Sequence, residues 1–273
     1  MIIPPDTLSF IISKGAYVFA FDFGRYLIAA VAVSAVVWIM MRTRMASRKI
    51  QKRVATRGDI AREVRQSVQS CIVYVLLTFL VIWGRNNGIF QPITGSQGLL
   101  TDLMLLAGLI VMHDTYFYWT HRAMHHPLLF KRFHHAHHRS ITPTPFAAYS
   151  FSVPEAFVEG AIVMVWVFFV ATPGWVLFAF LGFQIIRNTM GHAGAELMPK
   201  WWLSSPLTRW INTTTHHDLH HNGGFSKNYG LYFTFWDKIM GTEHPKYAET
   251  FARVVAAPPT RSRGLMDAPS PSL

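Results

Sequence analysis

Histidine is absent from the first 112 residues and then crowds into two short runs. "HDTYFYWTHRAMHHPLLFKRFHHAHHRS" (113–140) holds eight imidazoles and "THHDLHH" (215–221) four more, out of 14 in the chain. In "HRAMHH", His121 and His125 stand at i and i+4, so on a helix their rings project from one face about one turn apart. His113 lies eight residues earlier, about 80° away around the same helix. It either reaches that site or packs beside it as an ordinary buried histidine. "HHAHH" contains His134, His137 and His138 as HxxHH, and "HDLHH" repeats the pattern as His217, His220 and His221. A structural zinc takes four ligands and a catalytic one three, so these eight imidazoles are enough for two metals. Doubled histidines such as His134/His135 and His216/His217 cannot all face one site, which leaves one of each pair outside it.

The elements that must position these rings belong to a membrane protein. Hydrophobic residues make up 51% of the 273, and the mean hydropathy is +0.24, outside the range of an ordinary soluble domain. The apolar residues are bunched in runs at 26–41, 67–84, 98–112 and 157–186. A bilayer core needs about 20 apolar residues per crossing. The first two runs qualify, and the third does so by continuing through "HDTYFYW". The fourth, broken by "TPG" at 172–174, reads as a hairpin of two helices. The predicted fold is therefore all-α, with about five transmembrane or re-entrant helices and a helical lobe formed by 120–150 and 190–245.

Charge sets the orientation. Segment 42–65 carries nine of the 25 Lys and Arg directly after the first span, and the positive-inside rule makes it cytoplasmic. Counting spans from there returns the chain to the cytoplasm where the histidines begin, and the hairpin leaves His192 and "THHDLHH" on that same side. Net charge +11 suits an anionic lipid surface better than nucleic acid, because the basic residues flank spans. The single Cys71 excludes a disulfide framework and Cys-based metal or iron–sulfur sites. No cleavable signal peptide is evident at the N-terminus, which reads as interfacial. The Pro- and Ser-rich 256–273 reads as a disordered tail. The expected organisation is 1–97, an N-terminal membrane region; 98–245, the catalytic domain; and 246–273, the tail.

Imidazole spacing alone does not choose among zinc, copper, iron and nickel. A metal pair at a membrane edge faces lipids whose reactive handles are often C–H bonds. Zinc has no redox chemistry for those, whereas iron with dioxygen does.

The three boxes "HRAMH", "HHAHH" and "HDLHH", with "HDTYFYWTHR" before them and "NYGLYFTFWDKIMGT" after, resemble the fatty acid hydroxylase/sterol desaturase superfamily of membrane di-iron oxygenases over about 102–244. "NTMGHAGAE" (188–196) matches the single histidine that family places between its second and third boxes. The resemblance implies metal ligands at His121, His125, His134, His137, His138, His192, His217, His220 and His221. At the first box His126 is an alternative, but only His125 keeps the i,i+4 geometry. Asp114 and Asp218, beside ligands, are candidates to accept imidazole N–H bonds, or serve as caps or surface charges. Asn228, Gly230, Trp236 and Asp237 are expected to close the lobe. Tyr116, Phe117, Tyr118, Trp119, Phe146, Tyr149, Phe151, Trp201 and Trp202 either line a substrate slot or form an interfacial aromatic belt.

The implied activity is hydroxylation or desaturation of a lipid C–H bond by a non-haem di-iron oxidoreductase, with two Fe ions and O2 as co-substrate, zinc being able to replace iron in a purified sample. The lipid is sterol-like, fatty acyl, ether lipid or carotenoid. Without a dinucleotide fingerprint, Cys cluster or haem domain, the electrons come from a separate ferredoxin- or cytochrome-like donor. The expected location is the inner membrane, boxes facing the cytoplasm. Two other readings compete. A divalent-metal transporter needs ligands at mid-membrane depth, and a zinc hydrolase needs an H-E-x-x-H that the sequence lacks.

Overall fold

Three long apolar helices dominate the computed structural model, which describes residues 5–222 and 225–256. Helices α1 (Pro5–Met40), α2 (Arg57–Asn86) and α3 (Leu99–Met124) each have the length and composition to cross a bilayer. Much of their apolar surface faces outward, at Tyr17, Ile28, Leu76, Leu99 and Leu100, as on helices solvated by lipid. Helix α1 differs from expectation: instead of starting near residue 26 it runs unbroken through Lys14 and Asp22. Asp22 and Arg25 are ion-paired at 2.9 Å, and Arg25 also donates to Leu181 O at 2.9 Å, so the charges are matched within the bundle.

After α3 come two short helices, α4 (Pro127–Phe133) and α5 (His135–His138), and then the expected hairpin, α6 (Val153–Phe169) and α7 (Gly174–Gly191). Three helices, rather than five, have the length and apolar composition to cross a membrane among the described residues. At 1.5 Å per residue α6 and α7 are each roughly 26 Å long, a little short of the hydrocarbon core. At the hairpin's tip β2 (Thr172–Pro173) pairs in parallel with β1 (Ile93–Thr94). Beside it, Asp102 accepts bonds from Ser96 Oγ at 2.6 Å and Trp175 Nε1 at 2.9 Å, fastening the start of α3 to the start of α7.

The histidines gather at the opposite end of the bundle. There the short turn of helix at 145–149 is wedged between α1, α2 and α7: its carbonyls accept from Tyr26 (2.9 Å to Phe146 O), Ser70 (2.8 Å to Tyr149 O) and Asn188 (2.8 Å to Ala148 O). Helices α8 (Thr214–His221), α9 (Phe235–Ile239) and α10 (Tyr247–Ala256) complete the lobe. The first part of the expected tail is thus ordered helix, and its buried Tyr247 and Phe251 pack with Met198; amphipathic spacing supplies the reason. Residues 257–273 lie outside the described residues. The basic segment is also tied to the lobe. Glu196 N donates to Arg48 O at 2.9 Å and Ile50 N to Gly194 O at 3.2 Å, joining the segment to the chain just after His192.

Candidate metal centre

The fold gathers all nine expected imidazoles into two adjoining groups. His121, His125, His134, His138 and His220 form the first; His137, His192, His217 and His221 form the second. Within each group the potential ligand atoms lie within 4.8 Å of one another. Apart from half-buried His125, all are buried. Each HxxHH box is split between the two. His134 and His138, at i and i+4, join the first group while His137 goes to the second. His217 and His221, also i and i+4, join the second while His220 goes to the first. Helical geometry gives the reason: residues i+3 and i+4 project about 100° apart, so one box serves two neighbouring centres.

The imidazoles point their Nε2 atoms inward. In the first group His121 and His134 approach at 2.9 Å, His125 and His220 at 3.1 Å, and His138 and His125 at 3.2 Å. In the second the separations are 3.3 Å for His137–His192, 3.0 Å for His192–His217 and 3.1 Å for His217–His221. The outer nitrogens set the tautomer. Nδ1 of His121 donates to Tyr229 O at 2.8 Å, that of His220 to Lys227 O at 2.7 Å, that of His192 to Asn188 O at 2.8 Å and that of His137 to Ser150 O at 3.4 Å; Nδ1 of His134 meets Glu155 Oε1. A carbonyl can only accept, so these rings carry their proton on Nδ1 and present a lone pair at Nε2. Lone pairs facing one another at about 3 Å repel unless a cation lies between them, so this donor set fits metal ions and little else. Burial, and after it the neighbouring imidazoles, hold His134, His138, His217 and His221 well below the usual imidazole range, in the neutral form that ligates.

Comparison of the sequence with known proteins identifies the family. The fatty acid hydroxylase family matches residues 106–242, more than half of the chain. The chain belongs to that family. It is 30% identical over 198 residues to a Delta(7)-sterol 5(6)-desaturase of Aspergillus fumigatus, covering 71% of this chain and 56% of that protein. It is 30% identical over 190 residues to lathosterol oxidase of Homo sapiens, covering 68% and 62%. It is 28% identical over 186 residues to a putative methylsterol monooxygenase of Dictyostelium discoideum, covering 65% and 68%. The chain thus spans between about half and two thirds of the length of these curated relatives. No solved structure matches it.

Several histidines stand outside the groups of this fatty acid hydroxylase family member. His126 is exposed and caps α4, and His135 is exposed. His216 is buried, with Nε2 3.4 Å from Asp237 Oδ2. His113 lies in neither group; its ring packs against Phe180 and Tyr232. The two aspartates beside histidines, read as imidazole acceptors or as caps and surface charges, meet other partners, backbone for Asp114 and a side chain for Asp218. Asp114 accepts from Tyr232 N at 2.7 Å and Phe233 N at 3.2 Å, and Asp218 accepts from Gln51 Nε2 at 3.0 Å. The carboxylate on a cluster imidazole is Glu155, which the sequence reading missed. A signal was present: "SVPE" is a capping box, in which Ser152 and Glu155 close the start of α6 and fix the carboxylate where His134 meets it.

The "NYG" to "WD" stretch closes the lobe by holding the first group from behind. Asp237 accepts from Tyr229 N at 2.9 Å, Gly230 N at 2.8 Å and Thr242 Oγ1 at 2.7 Å, pinning the loop whose Lys227 and Tyr229 carbonyls orient His220 and His121. A Cβ at Gly230 would stand 2.4 Å from Phe233 O, so no other residue fits there. Trp236 Nε1 donates to Thr115 Oγ1 at 3.1 Å, tying this stretch to α3.

A cavity of about 460 Å³ runs between α1, α2, α3, α6 and α7 toward the histidines. Of the aromatics considered as lining, Phe117, Tyr149 and Phe151 face it, while Trp119 and Trp201 are exposed on the outside. Phe117, Phe151, Glu159 and Asn188 border both this cavity and a small gap against His134, His137, His192 and His217. That shared border is the throat between an apolar chamber and the imidazole cluster.

Proposed function

We propose that this chain is a membrane-bound non-haem di-iron oxidoreductase that uses O2 and externally supplied electrons to hydroxylate or desaturate a C–H bond of a lipid. The observation that carries this reading is the throat: an elongated apolar cavity abuts two all-imidazole groups. Family membership and the relatives' names, a desaturase, an oxidase and a monooxygenase, support it. His121, His125, His134, His138 and His220 would hold one iron, and His137, His192, His217 and His221 the other. Iron bound there supplies the activation of dioxygen and the attack on an unactivated carbon that no side chain can perform. The chain's own residues do the rest. Nδ1–H bonds fix the rings, the buried lobe excludes water, and the cavity positions one stretch of the lipid at the throat.

In this reading the histidine end of the bundle lies on the cytoplasmic side of the inner membrane; the nine basic residues of 42–65, judged by the positive-inside rule, support it. The hairpin α6/α7 dips into the membrane from that side beside three spans, giving five embedded helices. A separate ferredoxin- or cytochrome-like donor delivers electrons there. The transporter alternative gains no support, because the histidine groups sit at one end of the bundle and not at its middle.

Metal analysis of anaerobically purified protein from iron-replete cells, with Mössbauer spectroscopy on an iron-57 preparation, tests the reading. About two irons per chain with a coupled diferric signal is the expected result. Zinc without iron under those conditions would remove the redox chemistry and overturn it.

A further inference from the structure

Two polar side chains of the cavity, one of them at the throat, have no work in the metal centre. His113, on α3, is 3% exposed and lines the cavity, yet its Nδ1 has no hydrogen-bond partner. Glu159, on α6 one turn beyond the carboxylate that meets His134, lines both the cavity and the gap at the histidines. No hydrogen bond or ion pair reaches its carboxyl among the described residues. The two belong to one neighbourhood: Tyr116 Oη, three residues from His113, donates to Val158 O at 2.8 Å, next to Glu159. Phenylalanine would pack equally well where the His113 ring meets Phe180 and Tyr232, without leaving a nitrogen unsatisfied in an apolar wall. Among the cavity's other polar groups Arg85 also leaves its Nε without a partner, but it stands in the last turn of α2, at the end away from the histidines; three others are paired. Asp22 pairs with Arg25, Tyr149 donates to Gln184 at 2.9 Å, and Asn188 donates to Ala148 O.

We infer that His113 and Glu159 form a recognition pair for the hydroxyl of a lipid alcohol, which lies with its polar end innermost at the throat and its apolar body along the cavity. The inference deepens the oxygenase reading and rests on it. A hydroxyl is both donor and acceptor, and it matches a carboxyl that accepts beside an imidazole that donates. From Gly174 to Asn188 the cavity follows α7 for 14 residues, about 21 Å. That length suits a lipid body, and the walls there offer it mainly apolar side chains. Since Glu159 also borders the histidine gap, the carbon exposed to oxidation lies within a few bonds of the recognised hydroxyl. A lipid whose only polar group is at its far end does not satisfy the pair.

Equilibrium binding to the full chain in nanodiscs tests this without dioxygen or electrons. The probe is a tritiated 3-hydroxysterol, competed by the unlabelled alcohol, by its 3-methyl ether, and by a linear C18 alcohol. The wild type should prefer the sterol alcohol over the ether by about tenfold or more, the effect of one buried hydrogen bond. Glu159→Leu and His113→Phe should each reduce that preference to about threefold or less with metal content unchanged. Glu159→Gln keeps an acceptor of the same shape, and should retain most of the preference. Competition by the linear alcohol as well supports hydroxyl recognition with a permissive body, and its failure supports recognition of a rigid ring system. Equal affinity for alcohol and ether in the wild type, or an undiminished preference in both Glu159→Leu and His113→Phe, overturns the pair. A metal-free wild type that keeps the preference overturns the oxygenase reading alone.

Discussion

The two histidine groups differ less in number, five against four, than in what stands behind the rings. The first group is anchored from outside its own helices at three of its five rings, Nδ1 of His125 and His138 having no partner. Loop carbonyls of Lys227 and Tyr229 hold His220 and His121, and the Glu155 carboxylate meets His134. In the second, His192 bonds to Asn188 O in its own helical turn at 2.8 Å, His137 reaches Ser150 O at 3.4 Å, and Nδ1 of His217 and His221 has no partner. A carboxylate behind an imidazole raises its basicity and fixes its ring, so the first group is built to hold a cation tightly. Three of the four histidines facing the gap at the throat, His137, His192 and His217, come from the second group. The less braced centre is the one turned toward the substrate, where adjustable ligand positions are useful.

The largest effect expected from this contrast is at the ligands themselves. His217→Ala leaves three imidazoles in the second group, whereas His125→Ala leaves four in the first. His217→Ala should lower the metal content by about one ion per chain and lipid oxidation by about 100-fold or more, beyond what loss of a supporting group costs. His125→Ala should retain more of both. Equal metal loss in the two variants, measured by mass spectrometry, would break the comparison.

Asp237 offers the next largest effect, because it pins the loop that carries two anchors of the first group. Burial, the strongest influence on this carboxyl, would raise its pKa, yet bonds from His216, Thr242 and Gly230 together pull it down to about 2. The folded value lies below the usual 3.8, so the stabilisation is present above about pH 4 and is lost as the pH falls toward 2. Asp237→Asn should cost roughly 2–3 kcal/mol at neutral pH, the equivalent of that displacement. The gap from wild type should close as denaturation is repeated toward pH 2. A gap that stays constant through that window would show that the carboxylate's charge is not what holds the loop.

Glu155→Gln sharpens the contrast directly. Without the carboxylate, affinity at the first group should fall by about 10- to 100-fold, while the second group is unaffected. Competition with a chromogenic chelator resolves two classes of release, and only one should accelerate. Uniform weakening would mean that the two groups act as one site.

How much of this was legible beforehand depends on whether the signal was local. The i,i+4 and HxxHH spacings are helical facts, and they put nine imidazoles into the set that the fold gathers. The spacing also distinguished His125 from His126, since His126 lies past the end of α3 and faces outward. The split of each box between two groups was implicit in the 100° between i+3 and i+4, but needed the neighbouring helices to become visible. Glu155, 21 residues from His134 in sequence, and the cavity between five helices are products of tertiary packing, which single-sequence periodicity does not encode. For Asp114 and Asp218 the sequence left an imidazole bond and other roles open, because adjacency in sequence is not adjacency of side chains; on a helix, neighbours point about 100° apart.

The basic segment 42–65 supplies the finest test, since its charge pattern spoke only of membrane orientation. Gln51 is 8% exposed and sits where the segment meets both later boxes. Its Nε2 donates to Ile141 O at 2.9 Å and to Asp218 Oδ1 at 3.0 Å, and its Oε1 accepts from Thr142 Oγ1 at 2.9 Å. Asp218 lies between ligands of the second group, and burial, eased by Gln51 and Lys49, raises its pKa to about 7. Gln51→Ala therefore withdraws a polar partner from a buried carboxyl on α8. The expected cost is about 1 kcal/mol of stability, the net worth of a typical hydrogen bond. Its local signature should be faster amide exchange across 214–221 and release of the second metal accelerated severalfold, with the first unchanged. If exchange and release remain as in the wild type, the segment lies against the lobe without bracing it, and the weaker group depends on its own helices alone.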